Sequence, residues 1–381
     1  MSLSRRKSIA LIGGGVVLAA TAGAAIAVAR KPRAALAPWS LAGGYEDPRM
    51  RALSYAVLAP NPHNRQPWLV DLSKPDEVTL YADKDRLLPH TDPFSRQIVI
   101  GLGCFLELMR MAAAEEKIGV QFDLFPDGAD RTTLDQRRVA TCRFAPGMAT
   151  PDPLFAQVFK RRSLKEPYDT ARPVSNEALA ALRQIAQNGP VAGSTNAPEK
   201  VSDLRLLTFD ALKTELLTPH TYKESVDLFR ICAAEVDANP DGIDFSGAQW
   251  EALHLSGLFT RASVLDHNGM AFQGGLDMIE GNAMTAMAYV WLTTKGNARA
   301  EQIAAGRDWL RVNMAAAEAG LGVQPMSQPL QEYPEMADLY TRLHLMLAPD
   351  GGTVQMLGRL GYGPQVPHSP RWRIEDKIRR G

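Results

Sequence analysis

Two stretches of this chain, far apart in the 381 residues, read almost alike. Met111-Ala112-Ala113-Ala114-Glu115-Glu116-Lys117-Ile118-Gly119-Val120-Gln121 lies against Met314-Ala315-Ala316-Ala317-Glu318-Ala319-Gly320-Leu321-Gly322-Val323-Gln324. Eight of the eleven positions are identical at one offset, and Gly103 meets Gly306 at that same offset. An Ala-rich helix end recurs by composition alone, but the Ile/Leu-Gly-Val-Gln run that follows in register does not. The pattern predicts a duplicated unit. Such a unit mimics a symmetric dimer, with its two core helices packed at a pseudo-twofold axis.

The periodicity agrees. Ile98 to Ala114 is apolar nearly all round, as a helix buried on most faces must be. Ala298 to Glu318 reads as its counterpart. Asp47 to Val57, Asn176 to Ala186 and Pro334 to Leu347 carry helical spacing, with Ser175 a ready N-cap. Leu154 to Phe159 reads as the start of another helix, and Tyr222 to Val236 and Met284 to Leu292 also read as helical. Leu69 to Leu72, Val78 to Tyr81, Leu204 to Phe209 and Thr353 to Leu360 read as strands. Ala145 to Pro153 is rich in Pro and Gly and reads as a linker. Asn188 to Lys200, Asp237 to Gln249 and Val264 to Gly275 read as loops, the last two as insertions. The domain reading is 45–145 for a first half and 154–381 for a second.

Charge excludes one class of partner. Formal net charge is zero and no strongly basic run stands out, so nucleic acid is not expected. Three cysteines, Cys104, Cys142 and Cys232, lack metal-ligand spacing, and an odd count argues against a disulfide framework. No metal site is expected. The first 29 residues read as an address. Arg5-Arg6 precedes an uncharged Ala/Gly/Val run ending in Ala27-Val28-Ala29, which resembles a twin-arginine export signal with an A-x-A cleavage site. A run of roughly 20 uncharged residues also allows a membrane anchor. The expected location is exported, periplasmic or cell-envelope, with the export machinery as a partner.

Two polar stretches invite a ligand. Ala59-Pro60-Asn61-Pro62-His63-Asn64-Arg65-Gln66-Pro67-Trp68 fixes a turning backbone with two X-Pro steps. It crowds planar polar side chains before closing on a Trp. The second, Lys160-Arg161-Arg162-Ser163-Leu164-Lys165, holds four cations in six residues. On an extended backbone Arg161, Ser163 and Lys165 share a side, offering two cations and a hydroxyl to an anion such as a phosphate.

Together with the Ala-Ala-Glu-x-Gly-Leu-Gly helix end and the terminal Gly361-Tyr362-Gly363…Ser369-Pro370-Arg371 segment, these stretches resemble the nitroreductase superfamily of FMN-binding oxidoreductases. The closest resemblance is to its fused, Acg-like branch, over roughly residues 45 to 381. The resemblance implies an α+β fold, here two tandem halves forming an intramolecular pseudo-dimer that behaves as a monomer. It implies FMN at the junction of the halves. Arg161, Ser163, Lys165, Arg371 and Arg373 take the ribityl and phosphate side. Asn61, Pro62, Asn64 and Gln66 come from the other half. Pro325, Ser327 and Gln328, in the segment after the second core helix, face the isoalloxazine ring.

Only the first half has the Asn-x-Gln-Pro-Trp loop, and only the second has Arg-x-Ser-x-Lys. These complementary losses predict one FMN per chain. No nucleophile or acid–base pair stands out, so no catalytic residue is named; in a flavoprotein the chemistry is the cofactor's. The implied activity is reduction of a small planar acceptor, a nitroaromatic or quinone, by hydride transfer in a ping-pong cycle. NAD(P)H is the family's usual donor and is doubtful outside the cytoplasm. The alternative is a non-enzymatic protein that sequesters FMN under a lid formed by the inserted segments.

Overall fold

The computed structural model describes residues 30–379 except Met148, so the export-signal reading over residues 1–29 lies outside the described residues. The first half opens with helices α1 (Ala37–Leu41) and α2 (Pro48–Ala56). Asp47 caps α2 by accepting from the Arg49 N–H, and Pro48 occupies the first helical position, where a missing N–H costs nothing. Strands β1 (Trp68–Asp71) and β2 (Glu77–Ala82) follow, then helix α3 (Arg96–Ala114), then β3 (Ile118–Leu124) and β4 (Arg138–Pro146). The strands form an antiparallel sheet in the order β1-β2-β4-β3.

The second half begins with α4 (Asn176–Gln184), β5 (Val191–Thr195) and α5 (Pro198–Leu217). An insertion interrupts it: α6 (Pro219–Asp227), β6 (Phe229–Ile231), α7 (Ala233–Ala238), β7 (Ile243–Phe245), α8 (Ala248–Leu255), α9 (Arg261–Leu265) and α10 (Met270–Met284). Then come β8 (Ala288–Thr294), α11 (Arg299–Glu318), β9 (Gly322–Pro325), α12 (Ala337–Leu347) and β10 (Thr353–Gly361). Four of these strands form a second antiparallel sheet, in the order β5-β8-β10-β9. Both sheets are wired alike. The strand after each long helix lies at an edge, the next strand pairs with it, and the strand before the helix pairs with that one.

The long helices α3 and α11 meet at the centre. Every residue of α3 except Arg110 is buried. Among the described residues α3 is the one helix long and apolar enough to cross a membrane, yet it lies inside the fold. A Cβ on Gly103 would run into the Ile303 carbonyl oxygen, and one on Gly306 into that of Ile100. Only glycine allows this backbone approach. Arg96 and Arg299 also match at the offset of the repeat. Each buries its guanidinium against backbone carbonyls: Arg96 at 2.8 Å from the Gln355 oxygen, Arg299 at 2.8 Å from that of Asp130.

The insertion has its own apolar cluster of Tyr222, Val226, Phe229, Ile231, Phe259, Val264 and Phe272. Several sequence expectations fail in or beside it. Leu204 to Phe209 is not a strand but the middle of α5, whose buried Val201, Leu204, Leu207, Thr208 and Ala211 keep helical spacing. Met284 to Leu292 is not helical: β8 is buried on both faces, so its run shows no alternation and mimics a helix. The expected helix Tyr222 to Val236 breaks at Phe229 into β6. The supposed loops hold β5, β7 and the start of α10. Leu154 to Phe159 forms only a 3-10 turn over Pro153–Gln157, and β4 runs on into the expected linker.

Candidate functional site

The polar loop leaves α2 at Val57, crosses the face of α3 and enters β1. Gly101 of α3 makes room for it: a Cβ there would stand 3.1 Å from the Asn61 Cβ and the Pro62 Cδ. His63, Asn64 and Gln66 all take left-handed backbone, with φ of 46°, 51° and 51°. Each costs of order 1–3 kcal/mol for a residue with a side chain, and persists only where its surroundings over-determine it. Here they do. Asn61 Oδ1 accepts from the Gln66 N–H at 2.7 Å, and its Nδ2 donates to the Ala59 carbonyl. Asn64 Nδ2 donates to the Pro370 carbonyl, and its Oδ1 accepts from Arg371 at 2.6 Å. Gln66 donates to the Pro240 carbonyl at 2.6 Å and accepts from the Trp372 N–H at 2.8 Å.

These bonds revise the reading of the loop. Gln66 is fully buried with both ends of its amide engaged, so it shapes the loop and does not face a ligand. The amides of Asn61 and Asn64 are likewise held inside the protein. His63 is the exception, with a buried Nδ1 that has no partner. Desolvation, then Lys165 and Arg65, push its pKa down to about 4, so the ring is neutral near neutral pH. Trp68 is buried in the core and anchors the loop. Arg65, which carried no expectation, bonds Asp241 of the insertion at 3.0 Å. Arg86 and Arg230 bond the same carboxylate.

Behind the loop lies an unbalanced cluster of charge. Arg161 and Arg371 are both buried, and each donates to the Leu58 carbonyl oxygen at 3.2 Å. Arg371 also reaches the Ala59 and Pro370 carbonyls and the Ser369 hydroxyl, while its Nε is buried without a partner. No carboxylate among the described residues acts on either guanidinium. Desolvation, then Arg162, lower Arg161 to about 10; desolvation, then Arg161 and Arg162, lower Arg371 to about 9. Arg162 packs over Trp39, which stacks on His368 with ring centroids 4.0 Å apart. Sequence reasoning passed over Arg162, Trp39 and His368. The cation run pointed at Arg162, but nothing marked the other two.

The Arg161-to-Lys165 segment runs beside β9. The Leu164 N–H donates to the Val323 carbonyl at 2.9 Å, and Ser163 forms a parallel bridge to Val323. Leu164 turns inward, while Ser163 and Lys165 stay accessible. Lys165 has its pKa lowered by desolvation although solvent reaches it; Asp244 and Glu215 act in the opposite direction. Asp244 of β7 is likewise accessible, with its pKa raised by desolvation. Pro325 closes β9, and Ser327 and Gln328 follow it in the chain. The Ser327 carbonyl accepts from Gln97 of α3 at 3.3 Å, and Gln328 Oε1 is buried without a partner. Glu215 of α5 is buried nearby, bonded by Ser225 at 3.1 Å and Gln331 at 2.7 Å, with its carboxyl pushed up by desolvation.

The structure thus gathers Arg161, Arg371, Asn61, Pro62 and Asn64, from separate stretches of the chain, and Lys165 acts electrostatically on His63. Arg373 does not join them. It is exposed, and its partner is Glu375 at 3.9 Å.

This donor set suits a phosphorylated, planar cofactor. Buried, mutually repelling guanidiniums with a free Nε match a phosphate, and the unpartnered His63 Nδ1 and Gln328 Oε1 match polar ring edges.

No family model matches the chain. It is 35% identical over 79 residues to the Mycobacterium tuberculosis protein named "Putative NAD(P)H nitroreductase acg", a match covering 21% of this chain and 24% of that one. It is 24% identical over 340 residues to "Putative NAD(P)H nitroreductase Rv3131" of the same organism, covering 86% of this chain and 89% of the relative. A solved putative nitroreductase from Anabaena variabilis aligns with 87% of this chain and 91% of its own at a TM-score of 0.42 and 11% identity. A nitroreductase-like family protein from Bacillus cereus aligns with 61% of this chain and 98% of its own at 0.34 and 11%. Over most of its length, the chain is similar in sequence to proteins of the nitroreductase-like family.

Proposed function

We propose that this chain is an exported FMN-dependent oxidoreductase of nitroreductase type, built as a tandem pseudo-dimer with one flavin site between its halves. The observation that carries the reading is the pair Arg161 and Arg371. Two buried cations share one backbone carbonyl and have no acidic partner among the described residues. Burying charge without a counter-charge is strongly unfavourable, and a dianionic phosphate supplies the missing charge. Arg161 and Arg371 hold that phosphate, Lys165 and Ser163 line the approach to it, and Pro325 to Gln328 meet the ring. When bound, the flavin supplies two-electron transfer to a nitroaromatic or quinone. The protein orients it and limits water through the insertion.

The test is the visible spectrum of the purified protein and an FMN titration. One equivalent per chain is expected. A protein that takes up no FMN, or two equivalents, would contradict the reading.

A second reading is favoured by the insertion's bonds to the loop. Pro240 accepts from Gln66, the Gly242 N–H donates to Asn64, and Asp241 binds Arg65. A site covered in this way suits a protein that holds FMN without turnover. Steady-state reduction of a nitroaromatic by the flavin-loaded protein separates the two.

A further inference from the structure

Residues 33–41 run from the insertion to the arginine pair before the chain enters α2. At one end a single carboxylate of α7 holds them: Asp237 Oδ1 accepts from the Arg33 and Ala35 N–H groups, each at 2.9 Å. Toward the other end the Trp39 indole Nε1 donates to the Ser369 carbonyl at 2.8 Å. Between them the Ala35 carbonyl accepts from the Arg371 N–H at 2.8 Å. Trp39 is buried, and its ring meets two of the three clustered cations. The Arg371 guanidinium carbon stands 5.6 Å from the ring centroid, and that of Arg162 stands 5.5 Å from it. An aromatic face attracts a guanidinium without neutralising it. A carboxylate in that place would hold the cations and also cancel the charge that an anion needs. The ring holds them and leaves the charge free.

We propose that Trp39 is a positioning residue of the anion site: its ring holds Arg371 and Arg162 in place for a phosphate, and Asp237 fixes the ring by latching residues 33–41 to the insertion. The inference rests on the flavin reading, in which that phosphate belongs to FMN. Guanidiniums gathered without a counter-charge repel one another, so without a ligand they tend to part, and binding must bring them back. A ring that keeps them together lowers that cost, which is how preorganisation raises affinity. The effect belongs to the phosphate end alone. Riboflavin, which has the same ring system and ribityl chain but no phosphate, gains nothing from it.

The experiment is a fluorescence titration of the full chain with FMN and with riboflavin, for the native protein, Trp39→Leu, Trp39→Phe and Asp237→Ala. The quantity read is the ratio of the two affinities, so a general loosening of the fold cancels. Trp39→Leu keeps an apolar side chain and removes the ring; the preference for FMN is expected to fall about tenfold, the scale of a desolvated cation–π contact. Trp39→Phe keeps a ring face and should keep most of the preference. Asp237 hydrogen-bonds only the backbone of residues 33–41 among the described residues. Asp237→Ala should still lower the preference, by a smaller factor, because it frees the segment that carries Trp39. A ratio unchanged in Trp39→Leu, or one that falls as far in Trp39→Phe, makes Trp39 a packing residue and overturns the inference. A native protein that takes up no FMN, as read from its visible spectrum, overturns the flavin reading and the inference with it.

Discussion

The molecule has two arginine clusters on either side of one loop, and they are built on opposite principles. Around Asp241, Arg65, Arg86 and Arg230 converge on one buried carboxylate, and Asp83 pairs with Arg86 as well. Around the Leu58 carbonyl, Arg161, Arg162 and Arg371 gather with no carboxylate acting on them among the described residues. The first has its counter-charge within the chain and ties the insertion to the loop. The second has its counter-charge missing. Buried cations are tolerated where something neutralises them, so the second cluster carries the anion site we propose and the first reads as a structural joint.

Three substitutions test that distinction. The largest effect is expected at Asp241→Asn, which strands three guanidiniums. Losing one partner of a buried ion pair costs about 3–5 kcal/mol, to be read as a fall in the denaturation midpoint. A change within experimental error would remove the structural role. Next is Arg161→Ala, expected to weaken FMN binding by about 1.5–3 kcal/mol, the range for a hydrogen bond to a charged group, while the flavin-free protein keeps its stability or gains some. Lys165→Ala should act in the same direction. Fluorescence titration against thermal unfolding separates the terms, and unchanged affinity in both variants would make the two clusters alike.

The smallest effect concerns His63. Its folded pKa, about 4, lies below the unfolded value of 6.5. The unfolded chain therefore binds the proton first, so His63 contributes stability above pH 6.5 that is lost as pH falls from 6.5 toward 4. His63→Gln should flatten the pH dependence of stability in that window. An unaltered slope would place the ring in water.

Much of this was legible in the chain. α3 and α11 announced themselves through the repeat and through apolar residues on nearly every face, and the loop and the Arg-x-Ser-x-Lys segment through unusual polar density. What could not be read was the direction in which polar groups point. Asn61, Asn64 and Gln66 looked like groups offered to a ligand, but the loop, left-handed at Asn64 and Gln66, turns their amides onto Ala59, Pro370, Pro240 and Trp372. Those last three partners lie more than a hundred residues away in sequence, and no local pattern encodes them. β8 was misread because a strand buried on both faces loses its alternation. α10 was misread because Gly274, Gly275 and Gly281 suppress the helical signal. Asp241 and Asp244 stood in a stretch read as loop, where a carboxylate is ordinarily solvated.

The glycine contact between α3 and α11 has a consequence beyond packing. In the reading we propose, Arg161 and Arg371 belong to one half, and the Leu58 carbonyl and Asn64 to the other, so the spacing of the halves bears on the proposed anion site. Gly103 and Gly306 let the two core helices approach backbone to backbone. The proposed site would then be a caliper whose pin sits close to its jaws, since Cys104, next to Gly103, bonds the Gly306 carbonyl and acts on Arg161. A single added methyl at either glycine should spread the jaws and weaken FMN binding.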